Sequence, residues 1–141
     1  MSFAKCSPDS VEAFRIAPDS TNYFAILFDR KAGNYSSIAV VEIFEPGGAT
    51  PPNTHTDADE MFFVLSGTGR AWCDGKSCEL KAGDALLVKP GSEHILENTG
   101  TSKLYTLTVM TPDEAFGDLI RSGIPVKLDA EDLAVLCGGS Q

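Results

Sequence analysis

Two histidines and one glutamate are the residues of this chain whose types and spacing could bind a metal ion. His55 and His94 are the only histidines in the sequence, and Glu60 follows His55 after four intervening residues. Two imidazoles and one carboxylate make up a facial triad, which holds a transition metal and leaves positions open for oxygen or substrate. The His55–Glu60 spacing alone is a weak motif that arises often by chance. The hypothesis of a metal site therefore depends on bringing His94 to the same place.

The segments around the two histidines are typical of strand, turn and strand. Asn53 and His55 lie two residues apart and share one face of an extended segment, because strand side chains have a period of two. Residues 56–59 form a polar turn, and Glu60 begins the returning strand. We expect this hairpin to place His55 beside Glu60. Closure of a barrel would then bring His94 to both from a separate hairpin.

Glycine-rich turn signals separate short runs of β-branched and aromatic residues along most of the chain. The predicted strands are 23–28, 37–44, 60–65, 69–73, 77–80, 85–88, 93–97 and 103–110. Strands at this close spacing favour an all-β sandwich or barrel. The tail differs: Thr111, Pro112 and two acids predict a helix that begins at Thr111 and ends near Gly123, and a second helix is predicted over 129–137. These short C-terminal helices would flank the barrel.

The strand that begins at Glu60 is apolar on both faces. If Glu60 points into the barrel, alternate residues to Val64 do so too, whereas those from Met61 to Leu65 point outward. A strand that is apolar on both faces must be covered on both. The N-terminal strands or a second copy of the chain could provide the cover, and the pattern favours a homodimer.

Composition excludes several classes of partner. The chain of 141 residues is expected to form one domain, and its net charge of −9 would repel nucleic acids and anionic membranes. No run approaches the roughly 18 apolar residues of a membrane span. The first 14 residues lack the pattern of a signal peptide, so we expect a cytoplasmic protein with free thiols. An Asp74-Gly75 turn would leave Cys73 and Cys78 as diagonal neighbours rather than opposite partners.

Two segments of the chain resemble the paired sequence motifs of the cupin superfamily. The residues that match the first motif are Pro46-Gly47, Asn53-Thr54-His55, Glu60 and Gly67. The residues that match the second motif are Gly83, Lys89-Pro90-Gly91, His94 and Asn98. The resemblance implies a double-stranded β-helix, or jelly-roll barrel, with a metal near its mouth. It also implies a single cupin domain over 1–141, with a barrel core over about 37–111 and a helical flank over about 112–138.

The chain departs from these motifs at two positions. Lys89 stands where a proline is usual, and Asn53 stands where the first histidine is usual. Asn53 could bind through its amide oxygen, or it could lie beside a triad of His55, Glu60 and His94. Asp57 or Asp59 could also fold back as a replacement ligand. In the remaining alternative the metal is lost and the pocket binds only an organic ligand.

The predicted function is that of a metal-binding cupin, and the pattern favours a small-molecule metalloenzyme. The predicted ligands are His55, Glu60, His94 and Asn53, and the predicted cofactor is a divalent transition metal: Fe, Mn, Zn, Ni or Co. Lewis-acid chemistry suits any of these metals, whereas dioxygenase-like chemistry needs a redox-active one. The alternatives are a non-catalytic cupin that binds a sugar or metabolite, and a metal-independent sugar isomerase or epimerase. Tyr105 is interpreted as part of the pocket wall.

Overall fold

The computed structural model describes residues 2–139 and is built mainly from antiparallel strands. The strands are β1 Glu12–Arg15, β2 Asn22–Phe28, β3 Ile38–Phe44, β4 Asp59–Ser66, β5 Thr68–Cys73, β6 Lys76–Lys81, β7 Ala85–Val88, β8 His94–Asn98, β9 Leu104–Thr111 and β10 Ile124–Val126. The helices are α1 Phe116–Arg121 and α2 Ala130–Leu136. Met1, Ser140 and Gln141, which belong to the predicted domain over 1–141, lie outside the described residues.

The strands form two sheets. The larger sheet has the order β10-β1-β2-β3-β9-β4-β7, and the smaller has the order β6-β5-β8. Strands that are distant in sequence become neighbours in the larger sheet, because β9 pairs with both β3 and β4. This antiparallel jelly-roll arrangement with two short C-terminal helices confirms the predicted fold class.

The core follows the alternation of side chains along the strands. In β4, Glu60, Phe62 and Val64 are buried, whereas Phe63 and Leu65 are exposed, as the sequence predicts. Two apolar clusters lie on inward-facing positions, and one of them is Phe44, Phe62, Val64, Ala71, Leu80, Val88, Leu96 and Leu104. A third cluster lies on the other face of the larger sheet, where residues of β2, β3 and β9 pack against α2.

The hairpin of β5 and β6 has the register that the Asp74-Gly75 turn predicts. Cys73 lies opposite Lys76, and Ala71 lies opposite Cys78. Both turn residues have positive φ, 50° at Asp74 and 80° at Gly75, as a two-residue turn of this kind requires. Cys73 and Cys78 are free thiols, as are the other two cysteines of the chain.

The C-terminal flank differs in part from the prediction. The helix expected to begin at Thr111 does not, because Thr111 extends β9 and pairs with Asp59 across the sheet. The chain then passes through Glu114 and Ala115, both with positive φ, before α1 begins at Phe116. The second helix lies where predicted, with Asp129 accepting a hydrogen bond from the backbone N–H of Asp132 at 2.8 Å.

Two short strands were not predicted, and both lie at one edge of the larger sheet. They are β1 and β10, which pair with each other.

Neither helix within residues 2–139 has the length and apolar character needed to cross a membrane.

Candidate metal centre

Backbone hydrogen bonds bring the two histidine segments together. Asn53 and His94 exchange two of them, at 3.1 Å from the Asn53 N–H and 2.9 Å from the His94 N–H. The N–H of Gly91 donates to the carbonyl of His55 at 2.8 Å, so the glycine turn of the second segment supports the histidine of the first. Gly91 has a φ of 83°, a conformation that a residue without a side chain adopts freely. The convergence of the two segments is therefore built into the backbone.

His55, Glu60 and His94 form one compact cluster. Nε2 of His55 lies 3.0 Å from Oε1 of Glu60, and Nε2 of His94 lies 2.9 Å from the same oxygen. One ligand atom from each residue lies within 4.8 Å of the other two. His94 and Glu60 are buried, and the side chain of His55 is 11% exposed. Two imidazole nitrogens and one carboxylate oxygen that face a common centre fit the donor preferences of divalent transition metals.

The protonation of Glu60 and His94 is coupled. Burial raises the pKa of Glu60, but the hydrogen bonds and charges of His55 and His94 outweigh it and hold that pKa below its usual value. Burial lowers the pKa of His94, but the hydrogen bonds to Glu60 and Ser92 outweigh it and hold that pKa above its usual value. The two groups thus favour a carboxylate at Glu60 and a proton on His94.

Other groups lie beside the second nitrogen of each ring. Nδ1 of His94 donates to the carbonyl of Ser92 at 3.2 Å, so Nε2 is the nitrogen that faces Glu60. Nδ1 of His55 lies 3.9 Å from a carboxylate oxygen of Glu114. The other oxygen of Glu114 accepts the backbone N–H groups of Asp57 and Ala58 at 2.8 and 2.7 Å. Glu114 therefore ties the loop that carries His55 to the C-terminal flank.

Glu114 was missed by the sequence analysis, which assigned it only to the first turn of a helix. Its partners precede it by more than fifty positions, so no local spacing reveals them. The signal that could have been used is the Pro112-Asp113-Glu114 segment that directly follows the last strand of the barrel, since a strand end can lie near its mouth.

Asn53 lies beside the cluster. Its Nδ2 is 3.3 Å from Nε2 of His55. Because the oxygen and nitrogen of an amide occupy nearly equivalent positions, a rotation of the amide would present Oδ1 to the same point. Asp59, the candidate replacement ligand, instead forms an ion pair with Lys89 at 3.1 Å. Asp57 is exposed and lies outside the cluster of three.

A cavity of about 400 Å³ opens beside the three residues. Phe24, Phe62, Met110, Phe116 and Leu119 provide much of its apolar wall. The polar side chains on the wall include the cluster itself, Asn53 and Glu114, and also Asn22 and Glu42. A largely apolar cavity with a few convergent polar groups is typical of a small-molecule site.

The sequence analysis placed Tyr105 on the wrong face. Tyr105 is fully buried on the opposite face of the larger sheet, where its hydroxyl donates to Asp132 at 2.6 Å, and it does not line the cavity. Trp72 does not line the cavity either: it is 40% exposed, and its indole N–H donates to Glu97 at 3.0 Å. In β5 it is the neighbouring residue, Ala71, that points inward.

Comparison with known proteins identifies the family. The sequence model described as Cupin domain matches residues 40–110, half of the chain, and the protein belongs to this family. The oxalate-binding protein of Thermotoga maritima is 34% identical over 65 residues, which are 46% of this chain. The aligned segment covers 54% of that protein, so the chain spans about half the length of this relative.

Solved structures agree with the assignment. The structure described as a predicted oxalate decarboxylase from Thermotoga maritima has a TM-score of 0.59 and 28% identity, and the alignment covers 63% of this chain and 78% of that one. An RmlC-like cupin from Shewanella frigidimarina has a TM-score of 0.63 and 19% identity, covering 79% of this chain and 95% of that one. At that identity the second likeness shows the fold alone.

Proposed function

We propose that this protein is a metal-dependent cupin that binds a small organic acid and acts on it. His55, Glu60 and His94 would hold one divalent transition metal ion: Fe, Mn, Zn, Ni or Co. The observation that carries the proposal is the convergence of three donor atoms within 4.8 Å on the wall of a cavity. Asn53, whose amide is 3.3 Å from His55, would be a fourth ligand or would orient the bound molecule.

A small carboxylate is the favoured ligand for two reasons. The relative from Thermotoga maritima is named as an oxalate-binding protein, and a bound metal would attract an anion into a cavity whose wall is largely apolar. When bound, the metal would supply Lewis-acid polarisation of a ligand oxygen, and dioxygen chemistry if it is redox-active. Ser92 would hold the imidazole of His94, and Glu114 would hold the loop that carries His55. Phe24, Phe62 and Phe116 would keep water from the ligand.

A non-catalytic binding protein is the second candidate. Its support is Asn53, a weaker neutral donor at the position where the motif usually has a histidine, together with the relative named for binding rather than for catalysis. Both candidates share the metal and the anion, and they differ only in whether the bound acid is converted.

Binding and turnover can be measured in the same samples. Protein loaded with each of the five metals is titrated with oxalate by calorimetry, and the mixture is followed by carbon-13 NMR. We expect binding that requires the metal, that is lost in His94→Ala and that persists in Glu93→Ala, a matched control at the exposed neighbouring position. Conversion of oxalate supports the enzyme, and binding without conversion supports the second candidate. The absence of binding with all five metals contradicts both.

We also propose that the chain folds as one domain over 1–141 and associates as a homodimer. The support for the dimer is the apolar outer face of β4 and β7, where Phe63 and Leu65 are each 37% exposed and Leu87 is 58% exposed. Sedimentation velocity should give twice the chain mass for the wild type and a monomer for Phe63→Asp. A wild-type monomer at high concentration would contradict the dimer.

A further inference from the structure

Glu42 is a buried acid on the cavity wall that does not belong to the metal cluster. Its side chain points into the barrel from β3 and is 3% exposed. The strand pairing places Glu42 level with Thr106 and Val64, whereas Glu60 is level with Met110 and Ile38. The two glutamates thus occupy different rows of the same inward-facing surface, and the cavity touches both.

The side chain of Glu42 has neutral polar neighbours. Nδ2 of Asn22 donates to Oε2 of Glu42 at 2.6 Å. The hydroxyl of Thr106 donates to the backbone carbonyl of Glu42, not to its carboxyl, at 3.4 Å and lies 3.1 Å from the hydroxyl of Thr108. A carboxyl group can make more hydrogen bonds than these contacts use, which leaves capacity for a bound molecule.

Glu42 has no ion-pair partner among residues 2–139. Burial, and then the charge of Glu60, raise the pKa of Glu42 to about 8. A neutral carboxyl can both donate and accept a hydrogen bond, as a hydroxyl group of a ligand can. Burying an acid on a wall that also includes Phe24, Phe62 and Met110 opposes folding, so an apolar residue would serve stability better at this position. Polar groups on an apolar cavity wall fix the orientation of a ligand.

We propose that Glu42 and Asn22 form a second polar subsite of the cavity, which binds a hydroxyl group of a small hydroxylated carboxylic acid. The carboxylate of that acid would lie at the cluster of His55, Glu60 and His94, and this part of the inference rests on the proposed function. The cavity volume of about 400 Å³ falls within the range of roughly 300–1,000 Å³ that is usual for small-molecule sites. The subsite makes Glu42 a specificity-determining residue for the molecule that enters.

The test uses pairs of acids that differ only in their hydroxyl groups: gluconate and hexanoate, 3-hydroxybutyrate and butyrate, glycolate and acetate. Affinities are measured by calorimetry at pH 7 for wild type, for the double variant Asn22→Leu/Glu42→Leu, and for Glu93→Leu as a control at an exposed acid outside the cavity. In wild type we expect at least one hydroxylated acid to bind about tenfold tighter than its partner. That preference should vanish in the double variant and persist in Glu93→Leu.

The folding of the double variant is a second readout. Replacing both polar partners by apolar groups should leave the unfolding temperature unchanged or raise it, because no buried polar group is left unpaired. A fall of more than about 5 °C would mean that the pair is structural, and it would overturn the subsite. Equal affinities within every pair of acids in wild type, or a hydroxyl preference that survives in the double variant, would overturn it as well.

Failure of the subsite and failure of the metal centre give different results. The affinities are therefore measured with zinc-loaded and with zinc-free protein. If the metal centre is wrong, zinc will not change the affinity for either acid of a pair. The hydroxyl preference will then remain and will depend on Glu42. If the subsite is wrong, wild type and the double variant will show the same hydroxyl preference in the zinc-free protein.

Discussion

Glu60 and Asp132 are two buried carboxylates on opposite faces of the same sheet, and their partners differ. Glu60 is 4% exposed and faces the cavity, where its neighbours are the imidazoles of His55 and His94. Asp132 is 1% exposed and lies under α2. It accepts hydrogen bonds from the hydroxyls of two tyrosines and from Lys103, at distances of 2.6 to 3.2 Å.

The difference separates a structural acid from the acid of the proposed metal centre. Asp132 has a permanent cation beside it, Lys103. The hydrogen bonds of Lys103 to Asp129, Tyr23 and Asp132 outweigh the effect of burial and hold the pKa of Lys103 well above its usual value. The site of Asp132 is complete without any further ion. The partners of Glu60 are the imidazoles of His55 and His94, which carry a positive charge only when protonated. These groups line a cavity large enough for a ligand. A buried acid with titratable partners and an open side is therefore the one suited to exchange a proton for a metal.

The largest expected effects come from removing each acid in turn. Asp132→Ala leaves two buried tyrosine hydroxyls without their acceptor and removes one of the two carboxylates that bind Lys103, and we expect a loss of about 3–5 kcal/mol in the free energy of unfolding with little change in metal affinity. Glu60→Ala should lower metal affinity by more than about 100-fold, since a ligand is lost rather than a group that orients one. Denaturant titration and metal titration of both variants check the pair. Loss of metal affinity in Asp132→Ala, with the fold intact, would contradict the view that Asp132 contributes only to stability.

Glu114 should affect the metal centre without being a ligand. Because Glu114 lies 3.9 Å from Nδ1 of His55 and holds the backbone of Asp57 and Ala58, Glu114→Ala should weaken metal binding by about 10–100-fold. Glu131→Ala removes an equal charge from an exposed position of α2 and serves as the control. Competition with a chelator measures both variants. If the two variants bind metal equally well, Glu114 only stabilises the loop.

The stability of the metal-free protein should depend on pH through Glu60 and His94. The raised pKa of His94 contributes stability that is fully present below its unfolded value of 6.5 and is lost as the pH rises through the folded pKa. The lowered pKa of Glu60 contributes stability that is present above 4.5 and is lost as the pH falls through the folded pKa. The pair therefore stabilises most between these two values. Metal binding should instead strengthen as the pH rises, because protons no longer compete.

Denaturant titrations at pH 5.5 and pH 8.5 separate these opposite trends. The free energy of unfolding of metal-free wild type should be lower at pH 8.5 than at pH 5.5. The additional stability that the bound metal provides should be larger at pH 8.5. His94→Ala should lose the part of the metal-free trend that His94 contributes. A metal-free trend that is identical in wild type and His94→Ala would show that other groups cause it.

The smallest expected change is a gain. Asn53→His restores an imidazole beside His55, and we expect metal affinity to rise by about tenfold. Competition with a chelator gives the ratio to wild type. An unchanged affinity would mean that the side chain at position 53 points away from the bound metal.

The sequence predicted the elements that follow from local patterns. Period-two alternation places Glu60, Phe62 and Val64 on the inner face, and the Asp74-Gly75 turn sets the register of β5 and β6. The spacing of the two motifs anticipates that His55, Glu60 and His94 meet. Each of these features can be predicted either from the residues of one hairpin or from a motif whose spacing reflects the fold.

Features that depend on distant partners could not be predicted. The pairing of β4 with β9 shifts register between Val64 and Ser66, and Tyr105 lies at this irregularity, so its face could not be counted from the strand alone. The start of α1 depends on Thr111 pairing with Asp59. Glu42 and Glu114 look like ordinary acids in the sequence, because their roles come from the cavity and from a loop that is far away along the chain.

The most direct test of the metal centre is the metal content of untagged protein after exposure to each candidate ion and removal of the excess. The account predicts about one ion per chain and a higher unfolding temperature for wild type, since the ion binds only the folded state. It predicts the same stoichiometry for Asp132→Asn and almost none for His94→Ala. Wild-type protein that retains no ion from any of the five metals, with an unchanged unfolding temperature, would contradict it.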